Sequence, residues 1–155
     1  MLPSVTLPPH GIQIAIDCHD PEPLVAFWCL ALGYRPKPPP EAFATWRAWY
    51  LSVGVPEEEL GEGDCQDRVE DPTGTGPSIW FQPVPEPKTV KNRVHLDIRL
   101  SESRSVPVAE RAERVEAKAA ELEAAGATRL RLLDGTEGHY GVVMQDPEGN
   151  EFCLS

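Results

Sequence analysis

The feature that most constrains this fold is a turn that occurs twice. Asp71-Pro72-Thr73-Gly74 and Asp146-Pro147-Glu148-Gly149 each stand just before a short alternating segment. Aspartate at the first position, proline at the second and glycine at the fourth are preferences of a type I turn. One such turn is commonplace. Two at matching places point to an internal duplication, and hence to two small modules of one pattern.

The surrounding elements repeat as well. Ile12 to Asp17 sets Ile12, Ile14 and Ile16 on one face and Gln13, Ala15 and Asp17 on the other, a strand with one buried side. Asp20-Pro21 opens a helix as N-cap and first turn, and Leu32-Gly33 closes it. Pro36 to Pro40 is a stiff connection, the aromatic stretch Phe43 to Val53 reads as a strand, and Pro56 to Gly63 is an acidic loop. Trp46 and Trp49, three apart on that strand, then face opposite sides. Short strands follow near Gln66 to Glu70 and Ser78 to Pro83. In the second half, Val94 to Leu100 alternates, and Pro107 to Ala125 carries Val108, Ala112, Val115, Ala119 and Leu122 as one helical stripe. Strands near Thr128 to Leu133, Gly141 to Gln145 and Glu151 to Leu154 complete it. Each half is βαβββ, with module one at about 11–84, a linker at about 85–92 and module two at about 93–155, together one α+β domain.

Charge and cysteine usage narrow the partners. The 155 residues carry a formal charge of −11 and a pI near 4.7, which repels phosphate backbones and anionic lipid. Neither nucleic acid nor a membrane is expected. The longest apolar stretch, Leu24 to Tyr34, is far short of the roughly 20 residues a bilayer span needs. No basic-then-apolar leader is visible at the start, and the four cysteines have no paired CxxC spacing, so free thiols in the cytosol are expected. No Walker, GxSxG or dinucleotide fingerprint occurs.

Three segments, IAIDCHDPEPLVAFWCLALGY, DPTGTGPSIWFQPVPEPKTVKNRVHLDI and GHYGVVMQDPEGNEFCL, resemble the glyoxalase-like proteins of the vicinal oxygen chelate superfamily over about residues 11 to 155. The resemblance implies two βαβββ modules whose sheets curl round a concave pocket, with the helices outside. Metal-dependent members place ligands on the inner face. Carried over, those positions fall on Gln13, on His95, on Trp80 or Gln82, and on Cys153. Glutamates expected at the last two places are absent, which favours small-molecule binding without a complete metal site, as in the bleomycin-resistance branch. Members of the superfamily often form homodimers, and the apolar first helix allows one here.

Alternation places the same residues together independently. If the isoleucines and their counterparts face the helices, the other face carries Gln13, Asp17, Trp80, Gln82, His95, Asp97, Arg99, Glu151 and Cys153. His95 and Asp97 can act as a metal-free general base. Gln13, His95 and Cys153 are the alternative, a set for a divalent Zn, Ni, Mn or Fe ion. Gln13, Asp17, Trp46, Trp80, Gln82 and His139 are the candidate contacts to a small organic ligand, and a lyase, isomerase or dioxygenase type of reaction is the alternative to binding alone.

Overall fold

In chain order the elements are β1 (Gln13–Cys18), α1 (Pro21–Leu32), β2 (Arg35–Pro36), α2 (Trp46–Ser52), β3 (Arg68–Glu70), β4 (Ser78–Pro83), β5 (Leu96–Ile98), α3 (Val108–Ala124), β6 (Thr128–Gly135), β7 (His139–Gln145) and β8 (Glu151–Leu154). The structure, a computed structural model, describes residues 11–101, 105–135 and 138–155. They form two four-stranded sheets, ordered β1-β4-β3-β2 and β5-β8-β7-β6. In each, the first strand lies parallel to the last, and the other pairs are antiparallel. The second sheet thus repeats the order of the first. Both repeated turns close as expected, Gly74 N–H donating to Asp71 O at 3.0 Å and Gly149 N–H to Asp146 O at 2.9 Å.

Helix α1 forms as its ends dictate. Asp20 accepts from Glu22 N–H at 3.1 Å, and Gly33 turns the chain out at φ 68°. Most of its apolar residues are packed within the chain: Leu24, Val25, Phe27, Trp28 and Ala31 are buried, while Leu30 stays exposed at 39%. Phe27 and Trp28 pack edge-on against Phe152 of β8, at centroid distances of 5.8 and 5.3 Å, so module one's helix sits on module two's last strand. One continuous core results. Burying each such side chain is worth about 1.5–3 kcal/mol.

Turn two adds polar ties across the modules. Asp146, buried, accepts from Trp28 Nε1 at 3.2 Å as well as from Glu148 N–H and Asn150 N–H. Glu148 accepts from His19 N–H at 3.0 Å and Asp20 N–H at 2.9 Å, just ahead of α1.

The expected strand at Phe43 to Val53 is a helix at its centre. Thr45 caps α2, accepting from Ala48 N–H at 3.1 Å. Trp46, Trp49 and Tyr50 then stack on one side, with Trp46–Trp49 centroids 5.4 Å apart. Spacings of three and four put side chains on one helical face, so the two tryptophans do not point apart. The two-residue β2, at the start of the proline-rich connection, is a strand the sequence did not disclose.

Candidate functional site

Alternation holds within the strands of both sheets, although Ile12, expected on the buried face, lies just before β1 and is exposed. Ile79, Phe81, Ile98, Phe152 and Leu154 are buried toward the helices, while Gln13, Asp17, His95, Asp97 and Arg99 are exposed on the other side. Parallel pairing sets Gln13 beside Ser78, Ala15 beside Trp80 and Asp17 beside Gln82 on the first sheet. On the second it sets Asp97 beside Cys153, and Cys153 beside Val143.

The helix-free face of the first sheet is partly filled. Arg68, paired with Trp80 across β3 and β4, stacks its guanidinium 4.1 Å from the Trp46 ring centre and 5.1 Å from that of Trp80. Buried Asp67 accepts from Arg68 at 2.6 Å, from Tyr50 OH at 2.5 Å and from Trp80 Nε1 at 2.9 Å. Burial first, then the Asp67 bond, pushes the Tyr50 phenol up to about 12. Trp46 Nε1 also donates to Lys37 O at 2.8 Å. These groups satisfy one another.

On the second sheet the same face carries unspent chemistry. His95 Nδ1 lies 3.0 Å from Asp97 Oδ1 and 3.9 Å from Cys153 Sγ. One donor atom from each of the three residues falls within 4.8 Å of the other two. Burial, then the Asp97 charge, raises the Cys153 thiol above its ordinary value, with Lys91 and Arg131 opposing. Cys153 is therefore a protonated thiol near neutral pH.

A cleft of about 580 Å³ opens where the modules meet. Five consecutive residues of β1, Ile14 to Cys18, line it, so its wall is the strand's edge as well as its side chains. Among the described residues no backbone hydrogen bond joins that edge to the second sheet. The opposite wall is Val84 with much of the linker, then Asn92 to Leu96, including His95. Glu151 holds the linker in place, accepting from Asn92 N–H at 2.9 Å and Lys88 Nζ at 3.2 Å, which keeps its carboxyl below the usual range. Cys18, also on the wall, is pushed up to about 12 by burial and nearby carboxylates, and is no nucleophile at neutral pH.

Of the residues expected from sequence, Asp17 and His95 line this cleft. Asp97 and Cys153 join His95 just beyond it. Trp46 and Trp80 belong instead to the Arg68 cluster. Gln13 lies against Ser78, whose hydroxyl is 3.4 Å from Gln13 Oε1, and Gln82 is half-buried beside Asp17; neither borders the cleft. His139 is exposed at the start of β7, paired with Gly135. Lys88, Asn92, Arg93 and Glu148 are wall residues that the sequence reading does not pick out. For the first three the available signal is position, in or next to the segment joining the two modules; Glu148, in the second turn, carries none.

A glyoxalase-like domain model matches residues 13–155. The chain belongs to that family. Solved structures agree on the fold. A glyoxalase/bleomycin resistance/dioxygenase family enzyme from Burkholderia phytofirmans PsJN is 18% identical over 92% of this chain and 94% of its own, with a TM-score of 0.56. A glyoxalase/bleomycin resistance protein from Albidiferax ferrireducens T118 is 20% identical over 92% and 94%, with a TM-score of 0.51. A Listeria monocytogenes fosfomycin resistance protein, in complex with Mn(II), is 11% identical over 93% and 87%, with a TM-score of 0.54. No curated protein matches the chain. The fold is thus the α+β arrangement of the vicinal oxygen chelate superfamily, and no described helix is long and apolar enough to cross a membrane.

The superfamily's two-module metal set does not fit these residues. Trp80 Nε1 is a donor spent on Asp67, Gln13 is a neutral oxygen ligand on the other sheet, and no carboxylate occupies either glutamate position. A hard divalent ion loses charge and oxygen ligands there.

Proposed function

We propose that this glyoxalase-like protein binds a small organic molecule in the cleft between β1 and the linker, with His95 as its polar anchor. The supporting observation is the cleft itself: apolar Ile14, Ile16 and Val94 alternate along its walls with Asp17, Asn92 and His95. Apolar and polar residues share the walls about equally, which suits a small organic molecule that itself carries polar groups. The charge of −11 speaks against nucleic acid, and the free thiols fit a reducing cytosol.

Trp28 lines the cleft floor, so its fluorescence reports occupancy. A panel of ring-containing compounds is expected to give saturable quenching, with Kd about tenfold weaker in His95→Ala, the loss of roughly one hydrogen bond. A panel that leaves the emission unchanged sinks the proposal, as does equal binding by the variant.

A catalytic reading has one observation in its favour, the 3.0 Å His95–Asp97 contact. With the proton on Nδ1 donated to Asp97, Nε2 is the basic nitrogen, and it can take a proton from a bound molecule in a lyase, isomerase or ring-opening reaction. Asp97→Asn lowers turnover with little change in KM if the dyad acts as a base.

A further inference from the structure

We infer that His95, Asp97 and Cys153 form a zinc-type site built from module two alone, with Asp97 in the place that Gln13 was expected to fill. The inference rests on the reading that the His95 corner is the working part of the molecule.

The geometry argues for convergence on a metal ion rather than for a proton relay. In a nucleophile–base–orienter relay, the nucleophile and the orienting carboxylate meet opposite nitrogens of the imidazole. Here Asp97 Oδ1, at 3.0 Å, and Cys153 Sγ, at 3.9 Å, both approach Nδ1. Their convergence leaves no path for a proton from thiol through the ring to carboxylate. It does bring one nitrogen, one oxygen and one sulfur donor within 4.8 Å of one another. Bonds of about 2.0–2.3 Å from zinc to N, O and S ligands place donors on a tetrahedron roughly 3–4 Å apart, so small side-chain adjustments suffice.

The backbone supports that spacing. Asp97 and Cys153 are direct partners across β5 and β8, and His95 is two residues before Asp97 on the same face. All three ligands come from one sheet edge, so the site does not need the two sheets to close on each other. Binding releases the Cys153 proton to solvent, and an Asp97 carboxylate plus a Cys153 thiolate then balance a divalent charge. Three protein ligands leave a fourth position open to solvent or a small molecule. The mixed set selects Zn(II) over Mn(II) or Mg(II), since thiolate and imidazole suit the softer ion.

The test is Co(II) titration of the chelator-stripped full chain, followed by displacement with Zn(II). One equivalent should bind with a sulfur-to-cobalt charge-transfer band in the near ultraviolet and tetrahedral bands in the visible. Cys153→Ala should lose the near-ultraviolet band. Asp97→Asn should weaken binding by at least about tenfold, a lost ligand costing no less than a lost outer partner. Asp97→Glu should recover much of that affinity. Gln13→Ala and the double variant Cys29→Ala, Cys65→Ala should match the wild type. Metal-free melting curves of Asp97→Asn, Asp97→Glu and Gln13→Ala should coincide with the wild type, because those side chains are exposed, and the cysteine variants should still melt in one cooperative step. A missing near-ultraviolet band in the wild type, its persistence in Cys153→Ala, or equal losses in Gln13→Ala overturns the site. Ligand quenching is measured on the metal-free protein, so cleft binding stands or falls separately.

Discussion

On the first sheet, part of the face turned from α1 and α3 is covered by α2, while Gln13 and Asp17 stay exposed. Arg68 is stacked among Trp46, Trp49, Tyr50 and Trp80, and Asp67 accepts from three of its neighbours. On the second sheet, the equivalent face holds His95, Asp97 and Cys153, two of them exposed and the third half-buried. The strand orders are the same, yet one face is used for stability and the other is left available. A repeated fold fixes where side chains point but not whether they are consumed by packing.

The sharpest way to break this comparison is to cut the packed Arg68 cluster. Arg68→Ala leaves a buried Asp67 carboxylate without its cation, and about 3–5 kcal/mol of stability should be lost in urea unfolding. A loss no larger than that of a surface substitution contradicts the structural role.

Next in size is the tie between modules. Asp146→Ala strands Trp28 Nε1 and the turn's amides, costing about 1–3 kcal/mol. The corresponding Asp71→Ala should cost less, since Asp71 bonds mainly within its own turn, to Thr73, Thr75 and Gly76. Equal melting shifts for the two variants remove the asymmetry.

On the available face stability barely responds and binding does. His95→Ala and Asp97→Asn should each change stability by under about 0.5 kcal/mol, as exposed residues do, while affecting ligand or metal binding. A large melting shift in either places them in the structural framework instead.

The smallest effect is a pH dependence. The Glu151 carboxyl titrates below its ordinary value because Asn92 N–H and Lys88 bond it. Its contribution is therefore present above the ordinary glutamate range and is lost as pH falls through the lowered folded value. Asp71 and Glu116, lowered by turn hydrogen bonds and by Tyr140 with Arg129 respectively, add the same sign. Asp146, raised by burial, has the opposite sign. Melting temperature should fall on acidification below about pH 4.5, and less steeply in Glu151→Gln.

Much of this arrangement is legible in the amino-acid order. The paired turns and period-two strands carry the topology, because alternation on a half-buried sheet encodes which face each residue takes. His95, Asp97 and Cys153 follow from the same parity. Other features are not legible. Trp46, Trp49 and Tyr50 satisfy strand composition and helical spacing equally, and only the Thr45 cap with the Arg68 stack decides between them. Glu148 looks like an ordinary turn residue, since its partners His19 and Asp20 lie more than a hundred positions away. The approach of Asp97 and Cys153 to a single imidazole nitrogen is a matter of rotamers, which periodicity does not encode.

The most direct test of the central claim, that ligands enter the cleft at the His95 corner, is a fragment screen read by backbone amide NMR shifts. The account predicts that binders perturb Ile14 to Cys18 and Val94 to Leu96 while leaving Trp46 to Ser52 unmoved. Shifts centred on α2 and the Arg68 cluster, with the His95 region silent, would contradict it.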